Sequence, residues 1–64
     1  MTPAAYMTQW RMHVATQLLT DRGLTVAATA KHVGYRSEAS FSEAFLTIVG
    51  ERPGAYRRSF AATA

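Results

Sequence analysis

The pair Ala30 and Gly34, four positions apart, sits between a short and a longer stretch of helical periodicity. A second helix crosses closely over a first only where the first carries a small side chain. The chain then leaves that first helix through a residue that accepts positive φ, which is glycine's particular freedom. Apolar anchors must follow on the inward face of the second helix, and Phe41, Phe45 and Ile48 are spaced to supply them. With both patterns in phase around Gly34, the spacing predicts two helices crossing at a tight bend.

The chain has little else to hold such a bend. Its 64 residues allow one small domain, which buries only about 60% of the surface it exposes when unfolded, so stability is expected to be marginal. With no cysteine, neither a disulfide nor a thiolate metal site can staple it. An apolar content of 48% is enough for a core and argues against disorder. The net charge of +3 favours polyanionic partners such as nucleic acid. No apolar run approaches the ~20 residues of a membrane span, and the start lacks the pattern of a signal peptide. A soluble, cytoplasmic module without a membrane partner is expected. His13 and His32 stand nineteen residues apart with no cysteine near them, which gives no metal site. No nucleophile is paired with a base, and so small a core leaves little room for a walled pocket. Neither an enzyme nor a cofactor is expected.

Four helices are legible. Thr2 suits an N-cap and Pro3 a first helical position, where the missing N–H costs nothing. Met7, Trp10, Val14 and Leu18, with Ala15 and Leu19 alongside, then keep a helical period to Thr20, and Gly23 ends the segment. Trp10 and Leu18 read as core residues of this helix. Thr25 caps a helix of about nine residues carrying Val26, Ala30 and Val33. Ser37 caps a third, through Phe41, Ala44, Phe45, Ile48 and Val49 to Gly50. The run at 45–49 suits a strand by propensity, but the offsets from Phe41 favour a helix and a lone strand has no pairing partner. Pro53 opens a fourth, brief helix, and beyond Phe60 the last four residues are expected to fray. The fold class is therefore all-α, a helix-turn-helix bundle within a single domain: a lead-in helix at 3–20, the helix-turn-helix unit with its closing helix at 25–60, and a tail at 61–64.

One internal echo bears on organisation. Pro3-x-Ala5-Tyr6 and Pro53-x-Ala55-Tyr56 match at a spacing of fifty residues. A self-match of that period suggests repeated supersecondary units, here one whole unit and the closing phrase of another.

Taken together, these motifs resemble the AraC/XylS family of bacterial transcription regulators. The likeness is carried by Thr2-Pro3-x-x-Tyr6-Met7, Arg11, Ala15-x-x-Leu18-Leu19, Ala30-x-x-Val33-Gly34-Tyr35, Ser40-Phe41-Ser42-x-x-Phe45 and Gly50-x-x-Pro53-x-x-Tyr56-Arg57. It covers about residues 2–58. The DNA-binding domain of that family holds two helix-turn-helix units joined by a long helix. The resemblance implies that this chain is the linker helix plus the second unit, without the first unit and without an effector-binding or dimerisation domain. It implies sequence-specific binding of double-stranded DNA as half of a bipartite reader. It also implies a homeodomain-like arrangement in which residues 38–49 form the recognition helix, its first half facing the major groove.

With Phe41, Phe45 and Ile48 inward, the base-facing candidates are Ser37, Glu38, Ala39, Ser42 and Glu43. None is Arg, Lys, Asn or Gln, the usual bidentate readers of guanine and adenine. Glu38 or Glu43 can accept from cytosine N4, and Ala39 can touch a thymine methyl. The net charge of residues 38–49 is −2, so the half-domain is expected to bind DNA weakly by itself. Compensating charge lies outside that helix. Lys31, Arg36, Arg57 and Arg58 are the phosphate candidates, with Arg52 beside them; four contacts would give a log–log salt slope of about −3.6. Arg57 and Arg58 can instead form a solvated pair, though the resemblance favours phosphate contact, and Arg11 can support the fold through an ion pair with an acid of the third helix. Thr29 and Arg52 depart from the family pattern, which has a larger aliphatic residue and a serine or threonine cap at those places, and Thr29 is expected to loosen packing. The rival reading is a protein-interaction module whose acidic face meets RNA polymerase or another protein, or a truncated remnant. In either case this fragment is expected to be a monomer.

Overall fold

Among the described residues, four helices are joined by short turns: α1 (Pro3–Thr20), α2 (Val26–His32), α3 (Glu38–Val49) and α4 (Pro53–Thr63). The computed structural model describes residues 3–63, with side chains as far as Phe60. Thr2, the expected first cap, and Ala64 lie outside the described residues. No strand occurs among the described residues, so the 45–49 segment is helical as its periodicity requires. α4 carries its helical backbone through 61–63, three residues beyond the expected end.

The bend at Gly34 is a Schellman closure. Tyr35 N–H donates to Ala30 C=O (2.9 Å) and Gly34 N–H to Lys31 C=O (3.1 Å), which satisfies two carbonyls that the end of α2 would otherwise leave unpaired. Gly34 has φ +91°, a conformation that L side chains rarely adopt. Both flanking caps are made. Thr25 Oγ1 accepts from Ala28 N–H (3.1 Å) and Ser37 Oγ from Ser40 N–H (3.1 Å), each satisfying an orphan donor of the helix start.

Met12, Ala15, Leu19, Ala30, Val33, Phe41 and Phe45 form the core. α1 lies against α2, α3 and α4. Phe41 and Phe45 are fully buried and continue an aromatic row: Tyr35–Phe41, Phe41–Phe45 and Phe45–Tyr56 have centroids 5.8, 5.6 and 5.5 Å apart. Edge-on and tilted rings at such spacings add favourable quadrupole contacts to the area they bury.

The core differs from the expected one at two places. Trp10 is 55% exposed and Met7 is exposed too, while Met12, Ala15 and Leu19 carry the buried stripe of α1. The periodicity was right but the face was turned, and only the second half of α1 supplies buried residues. Val14 and Leu18 flank the core half-buried. Ile48, expected as an inward anchor, is also exposed, and Val49 packs there instead. Thr29, expected to loosen packing, is fully buried without an orphan hydroxyl, because Oγ1 donates to Thr25 C=O at 2.8 Å. A buried hydroxyl with its bond made escapes the penalty of an unpaired one.

Candidate nucleic-acid interface

The face of α3 opposite Phe41 and Phe45 is presented outward. Glu38, Ala39 and Glu43 are exposed and Ser42 is half-buried, the orientation a groove-reading helix requires. Ser37 is exposed, but its hydroxyl is committed to the helix start: it accepts from Ser40 N–H and shares a 3.0 Å hydrogen bond with Ser40 Oγ. Of the five base-facing candidates, Ser37 therefore acts first as a cap. Thr47 lies one turn beyond Glu43 on the same exposed face, its hydroxyl donating to Glu43 C=O (3.0 Å). Sequence reasoning missed it, although the offset of four from Glu43 was available.

The charges on this side are arranged unevenly. Arg52 Nη2 lies 3.8 Å from Glu43 Oε1, so part of the acidity of α3 is met by the turn before α4. Both groups are well exposed, and such a pair contributes at most about 1 kcal/mol. Arg11 makes no ion pair with an acid of α3 among the described residues. It lines, with Met7, Trp10, Val14, His32 and Val33, a shallow open groove of about 270 Å³ between α1 and α2.

The four phosphate candidates divide into two kinds. Lys31 on the last turn of α2, Arg36 in the turn before α3 and Arg58 on α4 are exposed, and their side chains make no hydrogen bond or ion pair among the described residues. Arg57 is different. Its Nε donates to Leu24 C=O (3.1 Å) and its Nη2 to Gly23 C=O (3.4 Å), across more than thirty residues of sequence. It is neither half of a solvated pair nor an unengaged cation.

Among the described residues, no group of three or more His, Cys, Asp or Glu could hold a metal ion, and no helix is long and apolar enough to cross a membrane.

Comparison with known proteins agrees with this geometry. A helix-turn-helix domain family matches residues 1–59. The chain is 43% identical over 56 residues to the RCS-specific HTH-type transcriptional activator RclR of Escherichia coli, covering 88% of this chain and 20% of that protein. It is 42% identical over 57 residues to the HTH-type transcriptional regulator AlkR of Acinetobacter baylyi, covering 89% and 19%. It is also 41% identical over 56 residues to a Streptomyces lividans protein named as an AraC-like transcription regulator, covering 88% and 18%. The chain thus spans about a fifth of the length of these relatives. No solved structure matches it significantly. The chain belongs to the helix-turn-helix domain family, of the AraC type.

Proposed function

We propose that this chain binds double-stranded DNA in bacterial transcription regulation, as the second half of a bipartite reader acting in the cytoplasm. One observation carries the reading: Phe41 and Phe45 are fully buried behind the Gly34 bend while Glu38 and Ala39 are exposed. α3 thereby offers its opening turn outward on a fixed support, and a helix so presented fits the major groove. Glu38 and Glu43 accept from cytosine N4 and Ala39 meets a thymine methyl, with Ser37 and Ser42 at the edge of the contact. Lys31, Arg36 and Arg58 hold the phosphates and give affinity without sequence information.

The bipartite part rests on the fifty-residue echo. In α4, Tyr56 packs on Phe45 and on Phe60, at 5.5 and 4.9 Å between centroids. Tyr6 and Trp10 occupy the matching places in α1, fifty residues earlier, and are 61% and 55% exposed. A preceding unit with its own recognition helix would cover them as α3 covers Tyr56. The relatives, about five times longer than this chain, have room for one.

The test is a gel shift on a random-sequence 20-bp duplex at low salt. Wild type is expected to shift the duplex weakly, and Lys31→Ala/Arg36→Ala/Arg58→Ala to abolish the shift. An unchanged shift in the triple variant overturns phosphate holding by these residues. No shift by wild type, with α3 still folded, favours a protein partner for this face.

A further inference from the structure

We infer that Arg57 is a positioning residue that fixes the angle of the recognition helix, and that its guanidinium serves the protein's own backbone rather than a phosphate; this rests on the DNA-binding reading above. The argument begins with two neighbours on α4. Tyr56 packs edge-on against Phe45, on the inner face of α3. Arg57, the next residue, points to the α1–α2 turn and donates to the carbonyls of Leu24 and Gly23. Those carbonyls immediately precede Thr25, the cap from which α2 starts. One turn of α4 thus grips the helix-turn-helix at both ends, holding the entry to α2 with Arg57 and the middle of α3 with Tyr56.

The two grips close a circuit. From Leu24 the chain runs through α2, the Gly34 bend and α3 to Phe45, then across the ring contact to Tyr56 and back through Arg57 to Leu24. Opening any link frees α2 and α3 to change their crossing angle about Gly34, whose backbone is closed by only two hydrogen bonds. Arg57 is suited to its link by shape. Guanidinium donors are fixed in a planar fork, so Nε–H and an Nη2–H reach two successive carbonyls together. Gly23, at φ +65°, shapes the turn that offers those carbonyls. Lysine at position 57 would keep the charge but place a methylene where Nε–H now lies 3.1 Å from the Leu24 oxygen. Charge and brace are therefore separable by a single substitution.

The first measurement needs no DNA. In NMR spectra of the 64-residue chain near pH 6, the Nε–H of Arg57 is expected to exchange at least tenfold more slowly than those of Arg36 and Arg58. In Arg57→Lys, amide shifts are expected to move along residues 38–45 of α3 as well as at 23–25. Exchange of Arg57 as fast as that of Arg36, or shift changes confined to 23–25 and α4, overturns the inference.

The second measurement is titration of the random 20-bp duplex at several salt concentrations, at a temperature where circular dichroism shows every variant folded. Arg57→Lys and Arg57→Ala are expected to weaken binding alike, by about three- to tenfold, with the log–log salt slope unchanged. A phosphate contact behaves otherwise: lysine restores affinity, and alanine makes the slope shallower by about 0.9. That pattern overturns the inference, as does full wild-type affinity in both variants. If wild type fails to bind the duplex at all, the DNA reading falls, and the NMR measurement still decides whether Arg57 braces α3.

Discussion

Gly34 shows how much one backbone angle can carry. At φ +91° a β-carbon would meet nothing within 4 Å, so any loss on substitution is conformational and owes nothing to a clash. Gly34→Ala is expected to cost about 1–2 kcal/mol, the price of a non-glycine residue held at positive φ. Gly34→Asn should recover part of that loss, since asparagine tolerates the left-handed region better than other side chains. Urea unfolding followed by circular dichroism checks both, and an Ala variant as stable as wild type removes Gly34 from its role. Gly34 and both caps were readable in the sequence because each answers a local backbone need. Arg57 was not: its partners are carbonyls, which every residue has, and nothing in the letters at 23 and 24 marks them as acceptors for a guanidinium thirty-three residues away. At Thr29 the need is again local: its hydroxyl donates to the Thr25 carbonyl one turn back, so a polar residue in a buried position leaves no unpaired group.

At the scale of elements, periodicity identified each helix but did not fix which stripe is buried. α1 carries apolar residues on more than one face, and the choice between Met7–Trp10–Val14 and Met12–Ala15–Leu19 is made by where α2, α3 and α4 lie. That placement is tertiary and is absent from any one helix's own pattern. α3 was easier, because Phe41 and Phe45 are large enough to dominate the face they occupy. Only its last turn was misassigned, where Ile48 and Val49 compete and Val49 goes inward. The two kinds of position predict opposite outcomes. Phe45→Ala removes a fully buried ring that touches both Phe41 and Tyr56, and is expected to cost about 3–5 kcal/mol. A domain of this length has only about 3–10 kcal/mol in all, so the variant should melt far below wild type. Ile48→Ala, at a position 39% exposed, should stay within about 1 kcal/mol of wild type. Thermal melts of the two variants decide, and equal losses would mean that the faces of α3 are not as described.

Across the whole molecule the electrostatics pull in two directions, and the balance turns on Glu43. The chain carries +3, yet α3, the helix proposed to face DNA, holds Glu38 and Glu43 and no basic residue, so on that proposal the net attraction comes from its surroundings. Of the surrounding cations, Arg52 is engaged with Glu43 and Arg57 with the α1–α2 turn, which leaves Lys31, Arg36 and Arg58 unengaged. Three phosphate contacts give a salt slope of about −2.7, shallower than the −3.6 or so that four would give. Removing a carboxylate should therefore tighten non-specific binding by an amount that depends on where it sits. Asp21→Asn, in the turn after α1, changes only the net charge and should matter least. Glu38→Gln removes a repulsion at the start of α3. Glu43→Gln does the same and also releases Arg52 toward the phosphates, so it should have the largest effect, about two- to fivefold at low salt, fading as the Debye length contracts. Anisotropy titrations of a labelled random duplex rank the three directly. The order Glu43 above Glu38 above Asp21 follows from position, whereas equal gains from all three would mean that total charge alone governs binding and that α3 does not approach the duplex.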